Sequence, residues 1–155
     1  MRPVNLRVRT NLPDAAERRR LRRKVARQFA ARVVEAYHPA CIILYGSVAR
    51  DADTLDSDVD LIVIGGDLPS DPFDRLGALM RLNGTIVPIE PLGYSEAEFE
   101  RMLARLHVTA LEALEFGIPL YGESYFVRLK EQFERLKAQG LHRTSNAWTM
   151  TRKQA

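Results

Sequence analysis

Two short and almost wholly apolar runs, Cys41–Tyr45 and Val59–Ile64, constrain the fold more than any other feature of the sequence. A run of this length, interrupted only by Asp60, is typical of a central strand that is covered on both faces. Gly46-Ser47 ends the first run and Gly65-Gly66 ends the second, so each run has the length of one strand. We therefore predict a small sheet that helices cover.

A long amphipathic helix is predicted before the first strand. Asp14 and Glu17 have the spacing of a capping box, so the helix should begin at Ala15 and continue to about Tyr37, where Pro39 stops it. One apolar stripe at four-residue spacing indicates the face that packs on the sheet: Leu21, Val25, Phe29 and Val33. The arginines of this helix lie mostly off the stripe.

The second half of the chain alternates a helix, a strand and two more helices. The patterns predict a helix over Phe73–Leu82, a strand over Thr85–Leu92, one helix from Ser95 to about Phe116, and a last helix over Glu123–Ala138. Pro88 cannot donate to a strand ladder, so its strand is expected at an edge of the sheet or bulged. The tail, residues 141–155, has no periodicity. We predict an α/β fold, with a small mixed β-sheet and flanking helices, in a single domain over residues 1–155.

The composition favours a cytoplasmic protein. The only cysteine, Cys41, cannot form an internal disulfide, which fits a reducing compartment. No apolar run follows the charges of the first residues, as a signal peptide requires, and no stretch approaches the length of a membrane span. We expect no membrane contact, and the oligomeric state stays open, homo-oligomers included.

Positive charge is concentrated at the N-terminal end. Residues 1–32 contain 11 Lys and Arg but only 2 Asp and Glu, whereas the other residues are acidic on balance. Such an arm can bind phosphates, nucleic acid or an acidic partner. It can equally be the solvated face of a helix. Nucleic acid is the weaker of the binding alternatives, because no aromatic residues are interleaved for base stacking.

Chemistry is concentrated in the segment between the two apolar runs, where Gly46-Ser47 is followed ten residues later by Asp58-Val59-Asp60. Residues two apart in a strand point to the same face, so Asp58 and Asp60 place two carboxylates side by side. Two such charges repel unless a hard cation lies between them, and magnesium prefers carboxylate and phosphate oxygens. Gly46 lets the backbone approach a ligand, and Ser47 begins a turn whose N–H groups can bind phosphate.

Each half of this pattern has a simpler explanation on its own. An Asp-x-Asp at the start of a strand is most often a solvated strand end, and Gly-Ser is often only a turn. Both halves next to strongly apolar strands favour a metal–triphosphate site. Of the other loop aspartates, Asp51, Asp53 and Asp56, we expect solvent exposure.

The Gly-Ser-x10-Asp-x-Asp pattern resembles the signature of polymerase-β-like nucleotidyltransferases. The forms Gly-Ser-Val-Ala-Arg and Ser-Asp-Val-Asp-Leu, and Gly-Ile-Pro-Leu-Tyr-Gly at 117–122, look like the minimal nucleotidyltransferase branch of that superfamily. The resemblance covers roughly residues 30–122. It divides the domain into a basic helix at about 14–37, a catalytic core at about 38–122, and a C-terminal helix and tail at 123–155.

The resemblance implies a third carboxylate on a following strand, for which Glu90 is the candidate, although aspartate is commoner there in the family; an exposed strand-end glutamate is the alternative. Asp58, Asp60 and Glu90 would then be catalytic and would bind two Mg²⁺ ions, with ATP as substrate. Gly46, Ser47 and Arg50 are the candidate nucleotide-binding residues. For Arg50, a charge on a helix surface is an equally good interpretation.

The implied activity is metal-dependent transfer of a nucleoside monophosphate, AMP from ATP, to a hydroxyl of a protein or another acceptor. In the minimal branch such a protein is frequently the antitoxin of a toxin–antitoxin pair, whose partner is a HEPN-domain ribonuclease. The alternative is a non-catalytic, nucleotide-binding antitoxin or interaction module that neutralises a partner by contact. Trp148 in the tail is either a docking anchor or part of a disordered end.

Overall fold

The computed structural model of the protein describes residues 12–151. Its helices are α1 (Ala15–Tyr37), α2 (Gly46–Ala49), α3 (Pro72–Met80), α4 (Glu96–Ala104), α5 (Val108–Phe116) and α6 (Glu123–Ala138). Its strands are β1 (Cys41–Tyr45), β2 (Val59–Ile64), β3 (Ile89–Tyr94), β4 (Ile118–Tyr121), β5 (Leu141–Arg143) and β6 (Trp148–Met150). Over these residues, the helices are too short or too polar to cross a membrane.

Four strands form the main sheet, in the order β3-β2-β1-β4. β1 runs antiparallel to β2 and β4, whereas β2 and β3 are parallel. The prediction of an α/β fold with a small mixed sheet is therefore confirmed. The two apolar runs are the central strands β1 and β2, and they are buried except at Tyr45 and Asp60, which are half-buried. β3 is an edge strand, as predicted, although Pro88 lies just before the strand and not within it.

Helices cover both faces of this sheet. α1 lies over one face, where its buried side chains meet alternate residues of β1 and β2: Val25, Phe29, Val33, Ile42, Leu44, Leu61 and Val63. α4, α5 and α6 lie over the other face, around Ile43, Ile62, Phe99, Leu111 and Phe133. Full burial of a side chain such as Phe29 stabilises the fold by roughly 2–3 kcal/mol.

α1 has the predicted boundaries but not the whole predicted stripe. Asp14 accepts from the Glu17 N–H at 2.8 Å, and the Glu17 carboxylate accepts from the Asp14 N–H at 3.3 Å, so the capping box forms. Leu21, predicted to pack on the sheet, is 51% exposed, whereas Arg22 is buried. The buried face is therefore rotated by one residue at this end of the helix, and a charged side chain lies inside it.

The single helix predicted from Ser95 to Phe116 is wrong, because the chain forms α4 and α5. Leu106 has a left-handed φ of 57°, which breaks the helix. His107 then caps α5, since its Nδ1 accepts from the Thr109 N–H at 3.3 Å. Neither glycine nor proline marks this break, so the sequence pattern continued across it.

Other features also differ from the prediction: α3 covers Pro72–Met80 rather than Phe73–Leu82, and β3 ends at Tyr94 rather than Leu92. β3 begins at Ile89 rather than Thr85, and residues 118–121 form β4, a strand that was not predicted. The tail contains the β5–β6 hairpin, which the sequence did not indicate. Trp148 is its anchor: the indole N–H donates to Glu112 Oε1 at 2.7 Å, and the ring meets Phe133 edge-on at 5.6 Å.

Candidate active site

The start of β2 aligns side chains from three strands. Asp60 is in register with Glu90 of β3 on one side and with Tyr45 of β1 on the other. Neighbouring strands are about 4.8 Å apart and residues in register share a face of the sheet, so these three side chains stand in a row. Asp58 lies two residues earlier, just outside β2. Asp58 and Glu90 are exposed, whereas Asp60 is half-buried.

Negatively charged side chains lie close together in this row. Burial raises the pKa of Asp60, and the charges of Glu90 and Asp58, with a hydrogen bond to Glu90, raise it further, to about 6. Burial, followed by the charges of Asp60, Tyr94 and Glu90, also raises the pKa of the Tyr45 hydroxyl. The carboxylates therefore repel one another at neutral pH, and a bound cation would relieve the repulsion.

Gly46 brings the turn after β1 against the Asp60 carboxylate. It begins α2 with a φ of +74°, a conformation that side chains rarely adopt. A Cβ added at this position would clash with Asp60 Oδ2. The position therefore requires glycine for two reasons, the backbone conformation and the close approach. The Gly-Ser turn and the aspartate, fourteen residues apart in sequence, are in direct contact.

Ser47 lies within the single turn of α2, and Arg50 is the residue that caps its C-terminal end. Ser47 is half-buried, and its carbonyl accepts from the Ala52 N–H at 2.9 Å. The Arg50 guanidinium lies 4.3 Å from the centre of the Phe116 ring and 3.9 Å from Glu112 Oε2. Arg50 therefore contacts α5, and the structure does not bring it to the carboxylates.

The donor chemistry of the row fits a hard cation, since Asp58, Asp60 and Glu90 supply oxygen atoms and an unrelieved negative charge. Within residues 12–151, however, no group of three or more His, Cys, Asp or Glu side chains is arranged to hold a metal ion. A cation at this place would need further oxygen ligands. A bound triphosphate carries such oxygens.

The prediction that Asp53 is solvated is wrong. Its side chain is fully buried and forms two ion pairs, with Arg19 Nε and with Arg22 Nη1, each at 2.7 Å. Burial by itself raises the pKa of Asp53, but hydrogen bonds from Arg19 and Arg22, a backbone hydrogen bond and the charge of Arg19 outweigh it and hold the pKa below its usual value. Asp51 and Asp56 are exposed, as expected, although Asp51 also pairs with Arg23 at 2.8 Å.

The basic face of α1 is therefore not simply solvated. Arg19, Arg22 and Arg23 all bind the segment that joins the Gly-Ser turn to β2. Arg20, Lys24 and Arg27 are exposed on the same helix. The sequence carried no signal for the first set, because helical periodicity does not reveal a partner that lies about thirty residues away. It also gave no indication of Tyr45, whose place beside Asp60 depends on the pairing of β1 with β2.

Comparison with known proteins finds a family model and solved structures that this chain resembles. The family model described as a nucleotidyltransferase domain matches residues 8–111, which is more than half of the chain and includes Gly46, Asp58, Asp60 and Glu90. A solved structure assigned as a nucleotidyltransferase from Sulfolobus solfataricus is 21% identical, with a TM-score of 0.47; the match covers 59% of this chain and 84% of that one. A toxin–antitoxin structure with AMP-PNP is 16% identical, with a TM-score of 0.46, over 72% of this chain and 90% of that one. The search of curated proteins found no match.

Proposed function

Because the chain belongs to the nucleotidyltransferase domain family, we propose that it transfers a nucleoside monophosphate, AMP from ATP, to a hydroxyl group of a second molecule. The observation that carries the proposal is the register of Asp60 with Glu90 directly beside Gly46. This contact places the crowded carboxylates next to a backbone turn at which no side chain of Gly46 blocks the approach of a ligand. A metal-bound triphosphate needs carboxylates for the metal ion and an accessible backbone turn for the phosphate groups.

The proposed magnesium ligands are Asp58, Asp60 and Glu90, with triphosphate oxygens completing the coordination. When bound, magnesium neutralises the charge that develops on the phosphate oxygens and on the pyrophosphate leaving group. Two ions are proposed, as the family resemblance implies.

The remaining roles belong to the chain itself. Gly46 and Ser47 provide backbone N–H groups to the triphosphate, and Asp58 and Asp60 fix its position. Glu90 accepts the proton of the acceptor hydroxyl while that oxygen forms a bond to the α-phosphorus and the bond to pyrophosphate breaks. Arg50 is proposed as a further nucleotide contact, which requires its guanidinium to leave the Phe116 ring.

The acceptor that we propose is a HEPN-type protein, with this chain as the antitoxin of the pair. Support comes from the motif set of the minimal branch, namely the forms around Gly46 and Asp58 and the segment 117–122. A cytoplasmic location is proposed with it, since the single cysteine, Cys41, is buried and free. The whole chain is proposed to act as one nucleotidyltransferase domain.

A non-catalytic nucleotide-binding module is the second candidate. The observation that favours it is the lack, over residues 12–151, of a side-chain group arranged to hold a metal. Such a module would bind ATP and neutralise its partner by contact, without a covalent product.

Label transfer from α-labelled ATP to a HEPN-type acceptor tests the function. The wild type should label the acceptor with magnesium and not in chelator, and Asp58→Asn should lose the transfer. Asp56→Asn is the matched control, because Asp56 is an exposed aspartate of the same loop, two residues away. Transfer by Asp58→Asn at the wild-type rate would rule out this site, and ATP binding without any transfer would favour the non-catalytic module.

A further inference from the structure

We propose that Arg22, with Arg19 and Arg23 of α1, is a positioning residue: it fixes the segment 48–55 and thereby holds Asp58 in place at the site. The inference rests on the proposed function, because it gives α1 a role in the geometry of the same carboxylate site.

The segment that needs fixing is the connection between the Gly-Ser turn and β2. Residues 50–58 contain neither helix nor strand, yet they end at Asp58. Within the described part of the chain, the hydrogen bonds that the backbone N–H groups of residues 51–57 donate are local. Ala52 N–H donates to the Ser47 carbonyl at 2.9 Å, and Thr54 N–H donates to Ser57 Oγ at 2.8 Å. Such bonds shape a loop but do not attach it to the rest of the molecule.

The attachment comes from α1, and Arg22 is its centre. Arg22 Nη1 donates to the Thr54 carbonyl at 2.6 Å, besides its bond to Asp53. Nη2 donates to the Leu55 carbonyl at 3.0 Å. One planar guanidinium thus binds three consecutive residues, and the last of them is three residues before Asp58. A lysine ammonium cannot reproduce this forked geometry.

The neighbouring arginines extend the attachment toward the Gly-Ser turn. Arg19 Nη2 donates to the Asp51 carbonyl at 3.0 Å. Arg23 Nη2 donates to the Val48 carbonyl, within α2, at 3.2 Å. Three arginines of α1 therefore bind carbonyls on both sides of Asp53. We call this set, Arg19, Arg22 and Arg23 with Asp51 and Asp53, the arginine clamp.

Burial makes the clamp rigid at its centre. The Asp53 side chain is fully buried and that of Arg22 is 9% exposed, whereas Asp51 at the outer end is 62% exposed. A buried charge that loses its partner is costly, so the inner contacts stay closed while the fold persists. At the other end of the segment, the Val59 N–H donates to the Pro88 carbonyl at 2.9 Å. Asp58 is thus fixed from both directions.

Arg22→Lys tests the clamp, with Arg32→Lys as the matched control. Arg32 is also on α1, and its Nε donates to the Leu82 carbonyl at 2.7 Å, outside the segment 48–58. Two readouts are needed at a temperature at which both variants are folded: amide hydrogen exchange of residues 48–58 without nucleotide, and the Kd for ATP at a fixed magnesium concentration.

We expect Arg22→Lys to speed exchange in residues 48–58 by about tenfold or more, as for loss of hydrogen bonds to a charged group, and to weaken ATP binding several-fold. Arg32→Lys should leave both unchanged even if its melting temperature falls as far. Asp53→Asn, which keeps the shape of the side chain, is the milder variant if Arg22→Lys does not fold.

Unchanged exchange in residues 48–58 would overturn the clamp. Faster exchange with an unaltered Kd for ATP, or equal weakening of binding by Arg32→Lys, would overturn its role in positioning Asp58. A wild type that binds no ATP would instead refute the proposed function, while the exchange data would still decide whether Arg22 holds the segment.

Discussion

At the scale of single residues, Asp60 is the point at which three parts of the chain meet. It faces Tyr45 of β1 and Glu90 of β3, and its carboxylate touches the Gly46 backbone. The alternation of side chains in a strand predicted that Asp58 and Asp60 lie close together, and the charge of Asp58 does contribute to the raised pKa of Asp60. The register with Glu90 was not predictable in the same way, because it depends on which strand becomes the neighbour of β2.

The raised pKa of Asp60 has a consequence for stability. Its folded-state pKa of about 6 lies above the ordinary aspartate value of 3.8, so its contribution is fully present below the ordinary value and is lost as the pH rises through 6. We therefore expect the stability of Asp60→Asn relative to the wild type, measured in chelator, to be greater at pH 7.5 than at pH 4. The increase should be about 1–2 kcal/mol after allowance for solvent screening.

Denaturant unfolding at the two pH values measures this gain. Asp56→Asn, at an exposed position, is the control and should show the same difference from the wild type at both values. An Asp60→Asn difference that does not change with pH would mean that burial and the neighbouring carboxylates do not raise the pKa of Asp60 in the folded protein.

Gly46→Ala should damage both the fold and the site. The left-handed φ of +74° costs an alanine about 1–2 kcal/mol, and its methyl group would push against Asp60 Oδ2. ATP binding should be lost along with that stability. Gly77→Ala is the control, since the nearest atom to its new methyl group would be Arg81 Nη1 at 3.5 Å, and an alanine inside α3 should be neutral or stabilising.

Calorimetric titration with ATP and thermal unfolding check this pair of variants. If Gly46→Ala bound ATP as the wild type does, the close approach of the turn to the carboxylate would be irrelevant to nucleotide binding.

At the scale of secondary structure elements, α1 shows what periodicity can and cannot reveal. The capping box and Pro39 predicted where the helix begins and about where it ends, but the apolar stripe gave no reason to bury Arg22 in place of Leu21. The reason is a carboxylate 31 residues away, at Asp53. Elements defined by local bonds were predictable, whereas the face of a helix that binds a distant loop was not.

The break between α4 and α5 and the β5–β6 hairpin have a similar origin. Leu106 adopts its left-handed conformation without a glycine to signal it. The hairpin is held by Trp148, whose partners Glu112 and Phe133 lie on α5 and α6. Tertiary contacts decide both features, and a pattern read along the chain does not contain them.

The clamp predicts a contrast between two sets of charges on one helix. Changing Arg19, Arg22 and Arg23 together to Gln leaves Asp53 buried without a cationic partner, so stability should fall by about 3–5 kcal/mol. Changing Arg20, Lys24 and Arg27 to Gln removes the same charge from exposed positions and should cost little, since exposed substitutions are usually within about 0.5 kcal/mol each.

Thermal and denaturant unfolding of the two triple variants provide the comparison. Equal stability of the two would show that the α1 arginines that bind the loop are interchangeable with solvated ones, which was one of the alternatives that the sequence left open.

At the scale of the whole molecule, the basic N-terminal region and the acidic body are partly reconciled inside the structure. Three arginines of α1 form ion pairs with the loop aspartates Asp51 and Asp53. The positive arm therefore has less unpaired charge for a partner than the sequence suggested. The same contacts connect α1 to the segment that carries Asp58. The basic region is therefore part of the architecture of the candidate site.

The central claim is that the carboxylates at the start of β2 bind a triphosphate through a divalent cation. Calorimetric titration of ATP into the full chain, with magnesium and then with chelator, tests it most directly. Asp58 and Asp60 should repel a bare triphosphate, so we predict binding with magnesium and none in chelator. Equal affinity under the two conditions would contradict the account.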